Sequence, residues 1–198
     1  MNYSYISKCR VCEKNNFIKY LNLGSQPASN SFLNKFTEKE HKYPLEVLLC
    51  KNCGLSQLSV VVSSKEIFSD YDYLSSNSKQ LVLHYKKLTD KIVSKFKLTS
   101  KDLILDIGCN DGVLLNNYPL NLKKIYGYEP SNAYKNIKNK NILVINNFFS
   151  KKNAELFIKK NISPRIITIT NVFAHIDNIR DFTEGLSTIS NDKTIIVI

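Results

Sequence analysis

The chain has 198 residues, of which 43% are hydrophobic, and a formal charge of +11. That length can bury a real core, as one large domain or two small ones. No apolar run approaches the ~20 residues needed to span a bilayer. The N-terminus, MNYSYISKCRVC, has no apolar h-region, so neither a membrane nor secretion is expected and a cytoplasmic location is the default. The lysines are scattered and interleaved with Asn and Ile, as a compositional habit would scatter them. A nucleic-acid partner is therefore not expected, although a nucleotide-linked substrate would tolerate such a surface. Oligomeric state is left open.

Residues 1–62 hold two cysteine pairs, Cys9-Arg-Val-Cys12 and Cys50-Lys-Asn-Cys53-Gly54. In a cytoplasmic chain such pairs suggest a metal before a disulfide. Two thiolates two residues apart on a tight turn can bind one ion together, and four close a tetrahedral site that favours structural zinc. The alternatives are four unrelated buried cysteines, or a redox pair, which the doubling of the motif argues against. The interval of about 37 residues is long for a zinc ribbon, so the chain between must bring the pairs together. Strand-like runs at 44–49 and 55–62 flank the second pair. The module has little apolar sequence of its own, and a metal would supply what its core lacks.

Residues 63–78, SSKEIFSDYDYLSSNS, form a polar connector punctuated by aromatic residues. The apolar residues Leu81, Leu88, Ile92, Val93 and Phe96 then recur at helical spacing, which predicts an amphipathic helix over 79–96. From there strands are expected at 103–107, 124–128, 142–145, 165–170 and 193–198. Helices are expected between them at 111–118, from about Ser131, at 150–160 and at 179–189, with Ser131 as an N-cap. Repeated β-α units of this length imply an α/β fold with a parallel, Rossmann-like sheet and right-handed crossovers over 79–198. The chain ends in or at its fifth strand, which reads as a truncated product or a fragment.

The richest stretch is DLILDIGCNDG, residues 102–112. It predicts a buried strand, a glycine turn and a helix start, with backbone N–H groups left free at the carboxyl edge of the sheet and a helix dipole behind them. The next strand ends in Gly127-Tyr128-Glu129-Pro130-Ser131, placing Glu129 about twenty residues past the turn. A carboxylate there can accept both ribose hydroxyls of a nucleoside cofactor. The dinucleotide fingerprint is absent, because Asn110 stands where its second glycine would be. An adenosine cofactor with an amino-acid tail, S-adenosylmethionine, fits better.

The order of Cys-x2-Cys, LGSQPASNSFL, YPLEVLLCKNCGLSQLSV, DYDYLSSNS, DIGCNDGVLL, GYEPS and NVFAHI resembles the nucleotide-sugar C-methyltransferases with an N-terminal zinc-binding domain. The resemblance covers nearly all of the chain. It implies a S-adenosylmethionine-dependent enzyme acting on a deoxy-ketosugar joined to a nucleoside diphosphate. It also implies that Asp106, Gly108, Cys109 and Asn110 line the methionine end of the cofactor, that Glu129 and Pro130 lie at its ribose, and that Asn147 and Phe148 lie by its adenine. Asn171 would join the cofactor site, His175 would face the sugar, and Tyr71 and Tyr73 would cover the active site. His84 is expected to be structural. The family's base, a His beside a Glu, follows the fifth strand, so this polypeptide alone is expected to have little or no activity. Two other functions stay open: a zinc-ribbon RNA-binding protein or RNA methyltransferase, and a S-adenosylmethionine-binding remnant with no reaction of its own.

Overall fold

The computed structural model describes residues 3–29, 33, 35, 37–68, 73–119, 121–122 and 124–198. They fall into two compact units, one running to residue 71 with 177–180, the other holding 72–176 and 181–198. Among the described residues no helix is long and apolar enough to cross a membrane.

The first unit is antiparallel. Strand β2 (Phe17–Pro27) pairs with β3 (Lys42–Cys50), which pairs with β4 (Ser56–Leu58). β1 (Tyr3–Tyr5) pairs separately with β5 (Val60–Val62), and a short helix α1 (Ser64–Phe68) follows. Among its described residues the buried apolar side chains are few: Cys9, Cys50 and Val60. Along β2 every described position after Phe17 is exposed, including Ile18, Tyr20 and Leu23. A sheet with so thin a core needs another source of stability.

The second unit begins with helix α2 (Lys79–Phe96). Ser78 caps it by accepting from the Leu81 N–H at 3.3 Å, and Lys97 ends it in the left-handed region at φ 48°. Strands β6 (Leu103–Ile107), β7 (Lys124–Tyr128), β8 (Ile142–Ile145), β9 (Ile166–Thr168) and β10 (Ile195–Val197) form one parallel sheet in the order β10-β9-β6-β7-β8. Helices α3 (Lys151–Ile158) and α4 (Ile179–Ile189) supply crossovers. All five residues of β6 are buried. Ile104 packs with the α2 residues Tyr85 and Ile92, whereas Leu103, Leu105 and Ile107 pack with Phe157 of α3 and Phe182 of α4. The two faces of the sheet therefore carry two separate cores, as the continuous apolar run requires. The chain leaves β6 to one side for β7 and β8, then crosses back for β9 and β10. The crevice at the carboxyl ends of β6 and its two neighbours lies where strand order reverses, the place at which open parallel sheets bind ligands.

Two of the expected helices are not α-helices. Over 111–118 there is a single 3-10 turn, Leu115–Asn117. Gly112 at φ 74° is left-handed, which breaks the helix before it starts, and Pro119 closes the segment. Beyond Ser131 the chain forms a 3-10 stretch, Asn132–Asn136, although Ser131 does cap it, its Oγ accepting from the Ala133 N–H at 3.2 Å. The expected strands at 165–170 and 193–198 are shorter, at 166–168 and 195–197.

Candidate cofactor and metal sites

The four thiols of Cys9, Cys12, Cys50 and Cys53 lie within 4.8 Å of one another. Two knuckles of the same conformation present them. In the first, the Glu13 N–H donates to the Cys9 carbonyl at 2.9 Å and the Cys9 N–H to the Lys14 carbonyl at 2.8 Å. In the second, the Gly54 N–H donates to the Cys50 carbonyl at 2.8 Å and the Cys50 N–H to the Leu55 carbonyl at 2.9 Å. The residue that turns each loop is left-handed, Glu13 at φ 60° and Gly54 at φ 76°. Glycine is at ease there and glutamate is not, so the first knuckle stores backbone strain that the second avoids.

The β2–β3 hairpin closes the long interval between the pairs. Its register sets Phe17 opposite Cys50, and the Lys51 N–H donates to the Asn16 carbonyl at 2.9 Å, so the knuckles lie side by side. The Sγ separations, 3.6 Å for Cys9 and Cys53 and 3.5 Å for Cys12 and Cys50, are far too long for a disulfide. They suit the edges of a tetrahedron around zinc, about 3.8 Å for thiolate ligands.

A buried amide supports the same donor chemistry. Gln57 in β4 is buried, and its Oε1 accepts from the N–H and the Nε of Arg10 at 3.3 and 3.4 Å. Its Nε2 has no oxygen or nitrogen partner and instead faces the Cys9 sulfur. Burial opposes ionisation of Cys9, but the N–H groups of Cys12 and Val11, the Cys53 thiol and the Gln57 amide outweigh it and bring the thiol down to about 6. Against the N–H groups of Lys14 and Leu55, burial and the neighbouring thiols push Cys12 up and Cys53 up to about 12, so without a cation the four do not ionise together. The residues present fit a zinc ion held by four thiolates.

In the second unit, Glu129 is the centre of the other site. It is buried, at the tip of β7, and each carboxylate oxygen takes one backbone donor. Oε2 accepts from the Asn110 N–H at 2.8 Å and Oε1 from the Ser131 N–H at 2.9 Å. A carboxylate has about four acceptor positions, and these bonds use two of them. Asn146, which spacing did not single out, clamps the same turn. Its Nδ2 donates to the Glu129 carbonyl at 2.7 Å and to the Pro130 carbonyl at 3.1 Å.

The glycine turn differs from the expected one in its backbone N–H groups, most of which are not free. The N–H groups of Gly108 and Cys109 both donate to the Tyr128 carbonyl, at 2.8 and 3.1 Å, and that of Gly112 to the Cys109 carbonyl at 2.9 Å. With the amides of Gly108, Cys109, Asn110 and Gly112 taken and no α-helix behind the turn, a phosphate would find neither a full cradle of free amides nor a helix dipole. Gly108 is required on two counts. Its φ is 76°, and a Cβ there would come within 2.3 Å of Cγ2 of Val172.

The site is acidic. Asp106 at the carboxyl end of β6 is fully buried, and its Oδ1 accepts from Thr168 Oγ1 at 2.5 Å across the β6–β9 crevice. Burial first, and then the charge of Glu129, push its carboxyl up to about 7, against the Thr168 hydrogen bond. Among the described residues, none of the ion pairs includes Asp106, Asp111 or Glu129. Uncompensated carboxylates at a ligand edge favour a cationic ligand over a phosphate.

The remaining expected residues lie on the segments that follow β6, β8 and β9 and in the connector ahead of α2. The Cys109 side chain turns into the core, where it would block any Cβ on Gly127, and burial and the Asp106 and Glu129 charges push its thiol well up, so it is no nucleophile. Asn147 and Phe148 follow β8, the Phe148 N–H donating to Asn147 Oδ1 at 2.9 Å. Asn171, left-handed at φ 56°, lines a cavity of about 310 Å³ with Thr170, Tyr85, His84 and Leu81. The buried Tyr85 hydroxyl reaches the side chains of Thr170 and Asn171. His175 is exposed on a 3-10 turn, Phe173–His175. Tyr73 is at the surface beside the glycine turn, and Tyr71 lies outside the described residues.

Residues 9–68 match the family described as "Putative zinc binding domain", and residues 81–198 match the one described as "Methyltransferase domain". The chain is 26% identical over 185 residues to the C-methyltransferase NovU of Streptomyces niveus, covering 92% of this chain and 44% of that protein. It is 38% identical over 61 residues to the uncharacterized methyltransferase C70.08c of Schizosaccharomyces pombe, covering 30% of this chain and 24% of that one. The chain thus spans less than half the length of the curated relatives it matches.

Two outcomes are expected. Gln57→Met keeps the packing volume but loses both the donor and the acceptor, and should weaken zinc about 10- to 100-fold in competition with a chelator of known affinity; unchanged affinity would show that Gln57 only fills space. Asp106 has a native pKa above its unfolded value, so its neutral form contributes stability below about pH 4 that is lost as pH rises through about 7. The melting temperature of Asp106→Asn relative to the parent should therefore rise by several degrees between pH 5 and pH 8, an effect of about 1–3 kcal/mol. Parallel pH curves for the two proteins would rule this out.

Proposed function

The chain belongs to the methyltransferase domain family, and from that premise we propose that it serves methyl transfer to a carbon of a nucleoside-diphosphate-linked deoxy-ketosugar. A methyltransferase domain implies S-adenosylmethionine as cofactor, and the four-cysteine cluster implies zinc. The observation that carries the cofactor assignment is Glu129, a buried carboxylate at a strand tip with one acceptor position on each oxygen still open. Two adjacent hydroxyls, as on an unphosphorylated ribose, satisfy that pair together.

S-adenosylmethionine supplies an activated methyl group on a sulfonium cation. Glu129 would hold its ribose, with Asn146 and Ser131 fixing the carboxylate's orientation. Asp106, held by Thr168, would set a negative potential beside the charged methionine end, and Gly108 would keep the turn close enough for contact. Asn147 and Phe148 are assigned to the adenine side. Sugar carbon as the methyl acceptor is supported by the likeness to a C-methyltransferase over most of this chain and by the four-cysteine module ahead of the methyltransferase domain. His175, Tyr71 and Tyr73 are assigned to the acceptor. Methylation at carbon requires a base to take a proton next to the sugar ketone; the cofactor would then supply the methyl group to the resulting carbanion and leave as neutral S-adenosylhomocysteine.

Glu129→Gln replaces one open acceptor by a donor and sets an amide N–H against a backbone N–H. It should weaken S-adenosylhomocysteine at least tenfold by calorimetry while the circular dichroism spectrum is unchanged. With labelled S-adenosylmethionine, whatever label the 198-residue polypeptide transfers, expected to be little, should go to a deoxy-ketosugar nucleotide and not to RNA. Label in RNA would favour an RNA methyltransferase, and binding of S-adenosylhomocysteine without binding of any sugar nucleotide would favour an inert remnant.

A further inference from the structure

We infer that Asn110 is a positioning residue whose side chain anchors the aromatic connector to the cofactor turn, so that cofactor binding and connector order are coupled. The inference rests on the cofactor assignment above. Asn110 occupies a left-handed position, φ 50°, where glycine would be the unstrained choice. Its side chain bonds the connector through both its oxygen and its nitrogen. Oδ1 accepts from the Ser75 N–H at 2.9 Å, and Nδ2 donates to the Tyr73 carbonyl at 3.0 Å. The next residue repeats the arrangement, Asp111 Oδ2 accepting from the Ser76 N–H at 3.1 Å. Those amides belong to a 3-10 turn, Ser75–Asn77, that has no buried residue of its own. Side-chain hydrogen bonds from the cofactor turn thus take the place of apolar packing in holding it.

The same Asn110 donates its backbone N–H to Glu129 at 2.8 Å. A single residue therefore ties the carboxylate assigned to ribose to the segment that carries Tyr73. A ligand that fixes Glu129 fixes Asn110, and with it the connector. By linkage, a docked connector must favour the ligand by the same factor. A glycine at 110 would relieve the backbone and sever this tie, which accounts for the asparagine.

The test is hydrogen exchange of the Ser75 and Ser76 amides in the 198-residue protein, alone and with S-adenosylhomocysteine. Asn110→Gly suits the backbone and removes only the side chain. In the parent the Ser75 amide should be protected, and protection should rise when the ligand binds. In Asn110→Gly its exchange should quicken about tenfold and no longer respond to the ligand. Asn110→Asp keeps the acceptor for Ser75 and should retain most of the protection there. Equal exchange in parent and Asn110→Gly, or no response of the parent to bound ligand, would overturn the coupling. Absence of any binding heat in the parent would instead refute the cofactor assignment, and the ligand-free comparison would still test the anchor.

Discussion

The second unit's site depends on the Glu129 carboxylate being held between two backbone N–H groups from different segments. The Asn110 N–H reaches it from the turn after β6, and the Ser131 N–H from the turn after β7. Those bonds tie the ends of two adjacent parallel strands into one rigid edge. They also leave the turn poorly suited to a phosphate, because the amides of Asn110, Gly108 and Cys109 are already committed, to Glu129 and to the Tyr128 carbonyl. With Glu129 at its centre and Asp106 buried one strand away, the edge offers carboxyl groups with a defined hydrogen-bonding face. A neutral ribose beside a positive charge is the ligand such an edge favours, in keeping with the methyltransferase family.

The first unit solves a different problem by a different means. Its sheet buries few apolar side chains among the described residues, and β2 runs largely exposed. Two like knuckles, brought together by the β2–β3 register, place four thiols where one zinc ion can cross-link residues more than 40 apart. Metal coordination there takes the role that a core has in the second unit.

Sequence patterning carried the strands far. The limits of β6, β7 and β8 agree with it residue for residue, because a buried parallel strand is an unbroken apolar run bounded by turn residues. The limits of helix α2 agree with its apolar period, and the Ser78 cap came from the structure. The stretches after β6 and β7 were not. There the left-handed Gly112 and the packing of Ile137 against it matter more than helix propensity. The cysteines stood out because their chemistry is confined to four residues at fixed spacing. Thr168, Asn146, Gln57 and Tyr85 did not. Each acts through contacts made only when the fold brings distant segments together, as Thr168 meets Asp106 across 62 positions. Asn110 was noticed for the glycine it replaces, but what its side chain does could be read only from the connector docked on it.

The central claim is that this edge recognises adenosine through a carboxylate and rejects a phosphate tail. Calorimetric titration of the protein with S-adenosylhomocysteine, NAD and ATP under one set of conditions tests it most directly. The account predicts saturable binding of S-adenosylhomocysteine and at least tenfold weaker binding of both phosphate-bearing ligands. Binding of NAD or ATP as tight as that of S-adenosylhomocysteine would contradict it.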